Sequence, residues 1–399
     1  MKISSGTMQA EIPMAVKGEI KPPNARLPPV SLRDKGAAVG QLLSVVPTVL
    51  FSLFRRRAFR RSALPLREDI KRTLIRSCAG LPLSILMRMI KSDKPEAIFQ
   101  ATRFRNTKAH FGIPVSTAHF SGYWLVKQPS DSRISGRRRV VMLWIHGGAY
   151  CVGDEFAGLG SLLRLAELAT DRGIDLDIFS LEYTLAPEAR FPVQQQQAVS
   201  AYRFLLEQQQ VDPECIIVGG ESAGGHLAIA CLQGIARAHL PRPKGSLLLC
   251  PWVNMTNTAA SFERNKCNDI LVKDSLDRCA ALALGPDASQ DCRNLLNFCV
   301  PSTGDLQWAN ILPPRTWMNV GSHDLFIDDI ISFQTIMAAE GLDIVLSITE
   351  GKTHGWQAMA DNTSSKTYFN LAPGEALPPG CMPGSANMLL GLSWLLGSQ

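Results

Sequence analysis

Four short stretches carry residues whose types and spacing could do chemistry. In Gly220-Glu221-Ser222-Ala223-Gly224 a serine sits between two glycines, after the apolar run 216–218 and before the helix-forming run 227–236. A serine on a sharp strand-to-helix turn takes a strained backbone conformation, and a Cβ on either flank would clash. G-x-S-x-G in that context is the nucleophile elbow. The turn lifts the hydroxyl above the sheet edge, and the helix N-terminus beneath it favours negative charge. A glycine-rich turn without chemistry is the competing reading. It is outweighed by what three other stretches supply.

The first is His146-Gly147-Gly148, directly after the apolar run 140–145. A glycine pair lets backbone N–H groups approach a ligand closely. The N–H groups of Gly147 and Gly148, with that of Ala223, are expected to form an oxyanion hole. His146 reads as a brace of this loop, because in this chain order the base follows the serine. The second and third carry the acid and the base. Asp324 follows a strand end in Gly321-Ser322-His323-Asp324-Leu325, and His354 lies past the last strand in Gly351-Lys352-Thr353-His354-Gly355. The order Ser222, Asp324, His354 is that of α/β-hydrolases. Asp328 and Asp329 read as helix N-terminal residues favoured by the dipole. His226 lies four residues after Ser222 on the same helix face, but the helix should carry it away from the strand ends, so it reads as structural. His323 reads as a neighbour, and His110, His119 and His239 have no supporting context.

These loops need a scaffold. Strand-like runs at 140–145, 176–181, 216–218, 247–250, 316–320 and 344–348 alternate with helical patterns at 162–168, 198–208, 227–236, 329–339 and 386–395. Such alternation implies a mostly parallel sheet covered by helices on both faces, with the active site beyond the C-terminal strand ends. Residues 113–126 read as an edge strand or hairpin with Gly122 at the bend.

The expected organisation is an N-terminal arm, 1–65, and an α/β catalytic domain, 66–399. A helical cap would come from 66–105, read as two helices, and from the insertion 254–312. Phe54, Leu83, Met87, Met89, Phe262 and Leu271 are candidate apolar wall residues of the cleft, with core packing the competing reading for each. Residues 1–36, rich in Pro, Lys, Ser and Gly, read as a disordered or loosely draped arm. The apolar stretch 37–54 precedes Arg55, Arg56, Arg57, Arg60 and Arg61. It falls slightly short of a spanning segment and carries Gln41 and Pro47. Peripheral membrane contact through 37–61 competes with a helix that covers the cleft.

Jointly these motifs resemble the hormone-sensitive-lipase-like branch of the α/β-hydrolases. The matching residues are His146-Gly147-Gly148-Ala149-Tyr150, Glu182-Tyr183-Thr184-Leu185-Ala186-Pro187-Glu188, Gly220-Glu221-Ser222-Ala223-Gly224-Gly225, Gly321-Ser322-His323-Asp324-Leu325 and His354-Gly355-Trp356. They cover residues 106–399. The resemblance implies a capped α/β-hydrolase fold, carboxylic-ester hydrolysis, and Ser222, Asp324 and His354 as nucleophile, acid and base. It requires no metal or organic cofactor. The expected substrate is a hydrophobic small-molecule ester, and relatives in secondary metabolism suggest a tailoring esterase. Transacylation on the same triad is the alternative within enzymes. A non-catalytic small-molecule receptor of the same fold is the alternative outside them, and the presence of His354 weighs against it.

Composition narrows the rest. With 46% hydrophobic and 19% charged residues, the 399-residue chain fits a globular protein with a sizeable core. The net charge of +6 is concentrated in blocks without interleaved aromatics, which disfavours nucleic acid as a partner. Ten cysteines without C-x-x-C spacing disfavour a zinc site or a disulfide framework and suit a reducing, cytoplasmic compartment.

Overall fold

The computed structural model describes residues 29–58, 66–90, 92, 95–105, 107–129, 136–301 and 307–397. Residues 1–28 of the arm and, of the arginine block, Arg60 and Arg61 lie outside them. Four helices open the described chain: α1 (Leu32–Ala58), α2 (Leu66–Cys78), α3 (Leu83–Met89) and α4 (Pro95–Phe99). Strands β1 (Ile113–Ser116), β2 (Ser121–Val126) and β3 (Arg138–Ile145) follow. Then come α5 (Leu159–Asp171), β4 (Ile174–Glu182), α6 (Val193–Glu207), β5 (Ile216–Glu221), α7 (Ala223–Arg237) and β6 (Gly245–Leu249). An insertion carries α8 (Ser261–Arg264), α9 (Lys273–Leu284), α10 (Gln290–Asn294) and α11 (Trp308–Ile311). The chain closes with β7 (Arg315–Gly321), α12 (Ile327–Ala339), β8 (Asp343–Thr349), α13 (Trp356–Asn362), α14 (Ser365–Asn370) and α15 (Pro383–Leu396).

The eight strands form one sheet in the order β1-β2-β4-β3-β5-β6-β7-β8. β1 pairs antiparallel with β2, and β2 antiparallel with β4. Every other pairing is parallel. The alternation of apolar runs explains this: Val140 to Ile145 in β3 are all buried, as a strand covered on both faces must be. Helices α5 and α15 pack together, as do α6 and α7.

Three expectations are corrected. The hairpin bend lies at Thr117 to Phe120, where the Thr117 hydroxyl oxygen accepts the N–H groups of His119 (3.1 Å) and Phe120 (3.0 Å). Gly122 sits inside β2, where a Cβ would come within 2.6 Å of the Ser180 carbonyl oxygen. The helix expected at 37–54 begins at Leu32, five residues inside the segment read as a loose arm, and runs to Ala58. Of the candidate wall residues, Phe54 (72% exposed) and Met89 (55% exposed) face solvent, while Phe262 packs beside Phe326 in the core.

The insertion is held by the N-terminal helices. Arg72 donates to the Asn268 carbonyl at 2.7 Å. Arg76 donates to the carbonyls of Asp269 (2.9 Å) and Leu271 (2.6 Å). These charge-assisted bonds fix the stretch 265–271 between helix α2 and the C-terminal ends of the strands.

Candidate active site

The sheet register sets the depth of the site. β5 runs parallel to β3 and β6, so the loops after all three strands open on one edge. Ser222 follows β5 directly, with φ 57° and ψ −120°, a conformation that a non-glycine residue adopts only when its surroundings impose it. The flanking glycines are what allow it. A Cβ on Gly220 would meet the Gly224 carbonyl oxygen at 2.4 Å, and one on Gly224 would meet that of Ile145 at 2.1 Å. Ser222 is 9% exposed.

The chain brings three distant residues together. His354 Nε2 lies 2.8 Å from Ser222 Oγ, and His354 Nδ1 lies 2.9 Å from Asp324 Oδ2. Asp324 is fully buried, and its second oxygen accepts the Phe326 N–H at 2.8 Å. Asn265 donates to the Asp324 carbonyl oxygen at 2.8 Å and holds that loop from the insertion side. A hydroxyl, an imidazole and a carboxylate in this order can move the hydroxyl proton to the ring and stabilise the resulting charge.

Electrostatics at His354 oppose one another. Burial disfavours the imidazolium, while Cys250 and the Asp324 carboxylate favour it, and the balance lies well above the ordinary imidazole range. Burial pushes the Cys250 thiol itself up to about 11, so at neutral pH it is uncharged and Asp324 is the group that holds the ring's proton. Cys250 Sγ stands 4.0 Å from His354 Nε2 and accepts the Gly355 N–H at 3.4 Å. Cys250, Asp324 and His354 bring candidate ligand atoms within 4.8 Å of one another. Asp324 lies at Nδ1 of the ring, and Cys250 stands beside Nε2.

The glycine loop lies against the serine. A Cβ on Gly147 would stand 3.2 Å from Ser222 Cβ, and Gly148 has φ 114°, where side chains are strained. Among the described residues, the backbone N–H groups of Gly147, Gly148 and Ala223 meet no main-chain acceptor. His146 is buried, its Nδ1 lies 2.7 Å from the Gly147 carbonyl oxygen, and its ring stacks on Tyr183. His226 is also buried, its ring nitrogens engaged by the Tyr150 hydroxyl (2.6 Å) and the Leu295 carbonyl oxygen (2.7 Å). Burial holds both rings down to about 4, so they stay neutral braces. Neither reaches the serine. Asp328 pairs with Arg264 at the surface, and Asp329 accepts from Asn254 at 2.9 Å.

One residue escaped sequence reasoning. Asp269 is fully buried, and its carboxylate accepts the N–H of His354 at 2.9 Å, of Leu325 at 2.8 Å and of Ile270 at 2.7 Å. It thus ties the acid loop to the base loop. Burial and the nearby Asp324 charge raise it to about 6.

Residues 142–358 match the model of a family described as alpha/beta hydrolase fold. The chain belongs to that family. Among curated proteins it is 30% identical over 261 residues to an acetyl-hydrolase of Streptomyces hygroscopicus, covering 64% of this chain and 79% of that one. It is 30% identical over 187 residues to an arylacetamide deacetylase of Oryctolagus cuniculus, covering 44% of this chain and 46% of that one. Among solved structures it is similar to an esterase of the bacterial hormone-sensitive lipase family, at TM-score 0.58 and 25% identity over 89% of this chain and 98% of that one. The esterase EstE5 superposes with TM-score 0.63 at 23% identity, over 84% of this chain and 99% of that one. The α/β-hydrolase fold and the hormone-sensitive-lipase-like resemblance are therefore both met.

Proposed function

We propose that this chain is a serine esterase that cleaves carboxylic esters of a hydrophobic small molecule through an acyl-enzyme. Ser222 attacks the ester carbonyl as His354 takes its proton. Asp324 fixes the imidazole tautomer and stabilises the imidazolium. The N–H groups of Gly147, Gly148 and Ala223 receive the oxyanion, and loss of one such donor commonly costs about 3 kcal/mol. His354 then protonates the departing alcohol, and water activated by the same ring releases the acid. The observation that carries this reading is the hydrogen-bonded line from Ser222 through His354 to Asp324. The ester class is supported by the names of the relatives, acetyl-hydrolases and esterases. A non-catalytic receptor would have no use for an imidazole in contact with the serine hydroxyl.

The test is turnover of p-nitrophenyl esters from acetate to palmitate by Ser222→Ala. We expect loss on the order of 10⁴-fold or more in kcat with the fold intact. Near-parental turnover on the best ester would contradict the assignment.

A further inference from the structure

Helix α1 has two unlike faces. Val39, Leu43, Val46, Leu50 and Phe54, spaced by three and four, form one stripe, and all are more than half exposed. Ala38, Gln41 and Val49 lie on the opposite side, and α1 packs through it on α2 and α3. Gln41 donates to the Ser77 carbonyl at 2.9 Å, and Asp34 accepts from the Ser84 hydroxyl at 3.0 Å. Beneath α1 lies a polar cavity of about 600 Å³, lined in part by Gln41, Ser52, Arg76, Asp274 and Arg278.

The segment Leu32–Arg55 is long and apolar enough to cross a membrane, with mean hydropathy 1.9, yet only 11% of its apolar window is buried. A monomer rarely leaves so continuous an apolar stripe in water. The ends of the helix are basic, with Arg33 and Lys35 at one end and Arg55 at the other, and Asp34 is the helix's one acid. That pattern fits an anionic lipid surface, where apolar side chains enter the acyl boundary and cations meet headgroups.

We propose that α1 docks this protein in the plane of a lipid bilayer, stripe downward, instead of spanning it. The reason is the other face. From Asp34 to Ser52 the helix stays laid against α2, α3 and the polar cavity, so a spanning α1 would drag Arg76, Asp274 and Arg278 into hydrocarbon, which is costly. Docking also reaches the catalytic loops. α1 sits on α2, α2 holds the stretch 265–271 through Arg72 and Arg76, and Asp269 within that stretch ties the loops of Asp324 and His354. The proposal is independent of which ester is cleaved.

The test is flotation of full-length protein, purified without detergent, with preformed phosphatidylcholine vesicles containing phosphatidylserine. Alongside runs the variant Leu43→Gln, Val46→Gln, Leu50→Gln, Phe54→Gln, with p-nitrophenyl acetate hydrolysis reporting that each protein is folded. The parent should float with the vesicles, and the variant should lose at least about 10-fold in binding while keeping hydrolysis. Equal flotation of both, or no flotation of the parent, would overturn the docking. A parent dimer that the variant dissociates, without flotation, would assign the stripe to a second copy of this chain. Binding only when detergent is present during vesicle formation would mean insertion across the bilayer and would overturn the in-plane placement.

Discussion

Asp269 accepts the main-chain N–H of His354 at 2.9 Å, so a buried carboxylate from the insertion holds the backbone that presents the imidazole. Its other oxygen holds Leu325, the neighbour of Asp324, at 2.8 Å. Two loops that follow different strands are thereby set to one geometry.

Asp269→Asn should therefore impair turnover without touching substrate. The amide has one accepting oxygen, so one of the two N–H groups would face an NH₂ group, and a buried unsatisfied donor costs about 1–3 kcal/mol. We expect kcat to fall on the order of 10- to 100-fold with KM little changed, since small misplacements of catalytic groups carry such losses. Steady-state kinetics on a short soluble ester check this. Unchanged kcat would mean that the loops hold themselves.

Asp324→Asn and Asp328→Asn should separate cleanly. On the proposed mechanism His354 acts as neutral imidazole, so activity should rise as pH climbs through its pKa, which Cys250 and the Asp324 charge hold up against burial. Removing that charge should shift the midpoint of the kcat/KM profile to lower pH and cut the plateau by about 10⁴-fold through the wrong tautomer. Asp328 pairs with Arg264 at the surface, and its loss should leave turnover within about 2-fold, as exposed ion pairs contribute little. Equal losses in pH profiles of the two variants would mean that the acid is misassigned.

Gly224→Ala should destabilise the fold, because its Cβ would meet carbonyl oxygens of Ile145 and His146 at 2.1 and 2.4 Å, backbone that cannot rotate away. We expect about 3 kcal/mol or more. Gly40→Ala, in α1 with nothing within 4 Å, should instead stabilise by up to about 1 kcal/mol. Thermal unfolding of the two variants distinguishes them, and a neutral Gly224→Ala would refute the steric account of the elbow.

Much of this was legible in the sequence, for local reasons. Buried parallel strands such as β3 and β5 are continuous apolar runs, and the elbow, the glycine loop and the loop of His354 each announce themselves by glycines beside a polar residue. Asp269 left no such trace. A carboxylate that accepts main-chain N–H groups from distant loops has no spacing rule, and its stretch reads as irregular insertion. The bend at Thr117 was hidden because a side-chain hydroxyl, and not a glycine, satisfies the turn. Phe54 was misplaced because apolar spacing fixes a helix face but not what covers it.

On the proposed mechanism Ser222 is the residue that becomes acylated. Incubation with a p-nitrophenyl phosphonate ester, followed by peptide mass spectrometry, tests it directly. One phosphonyl group per chain is expected on the peptide that contains Ser222, with stoichiometric release of p-nitrophenol and no labelling of Ser222→Ala. Labelling at another residue, or equal labelling of the variant, would contradict it.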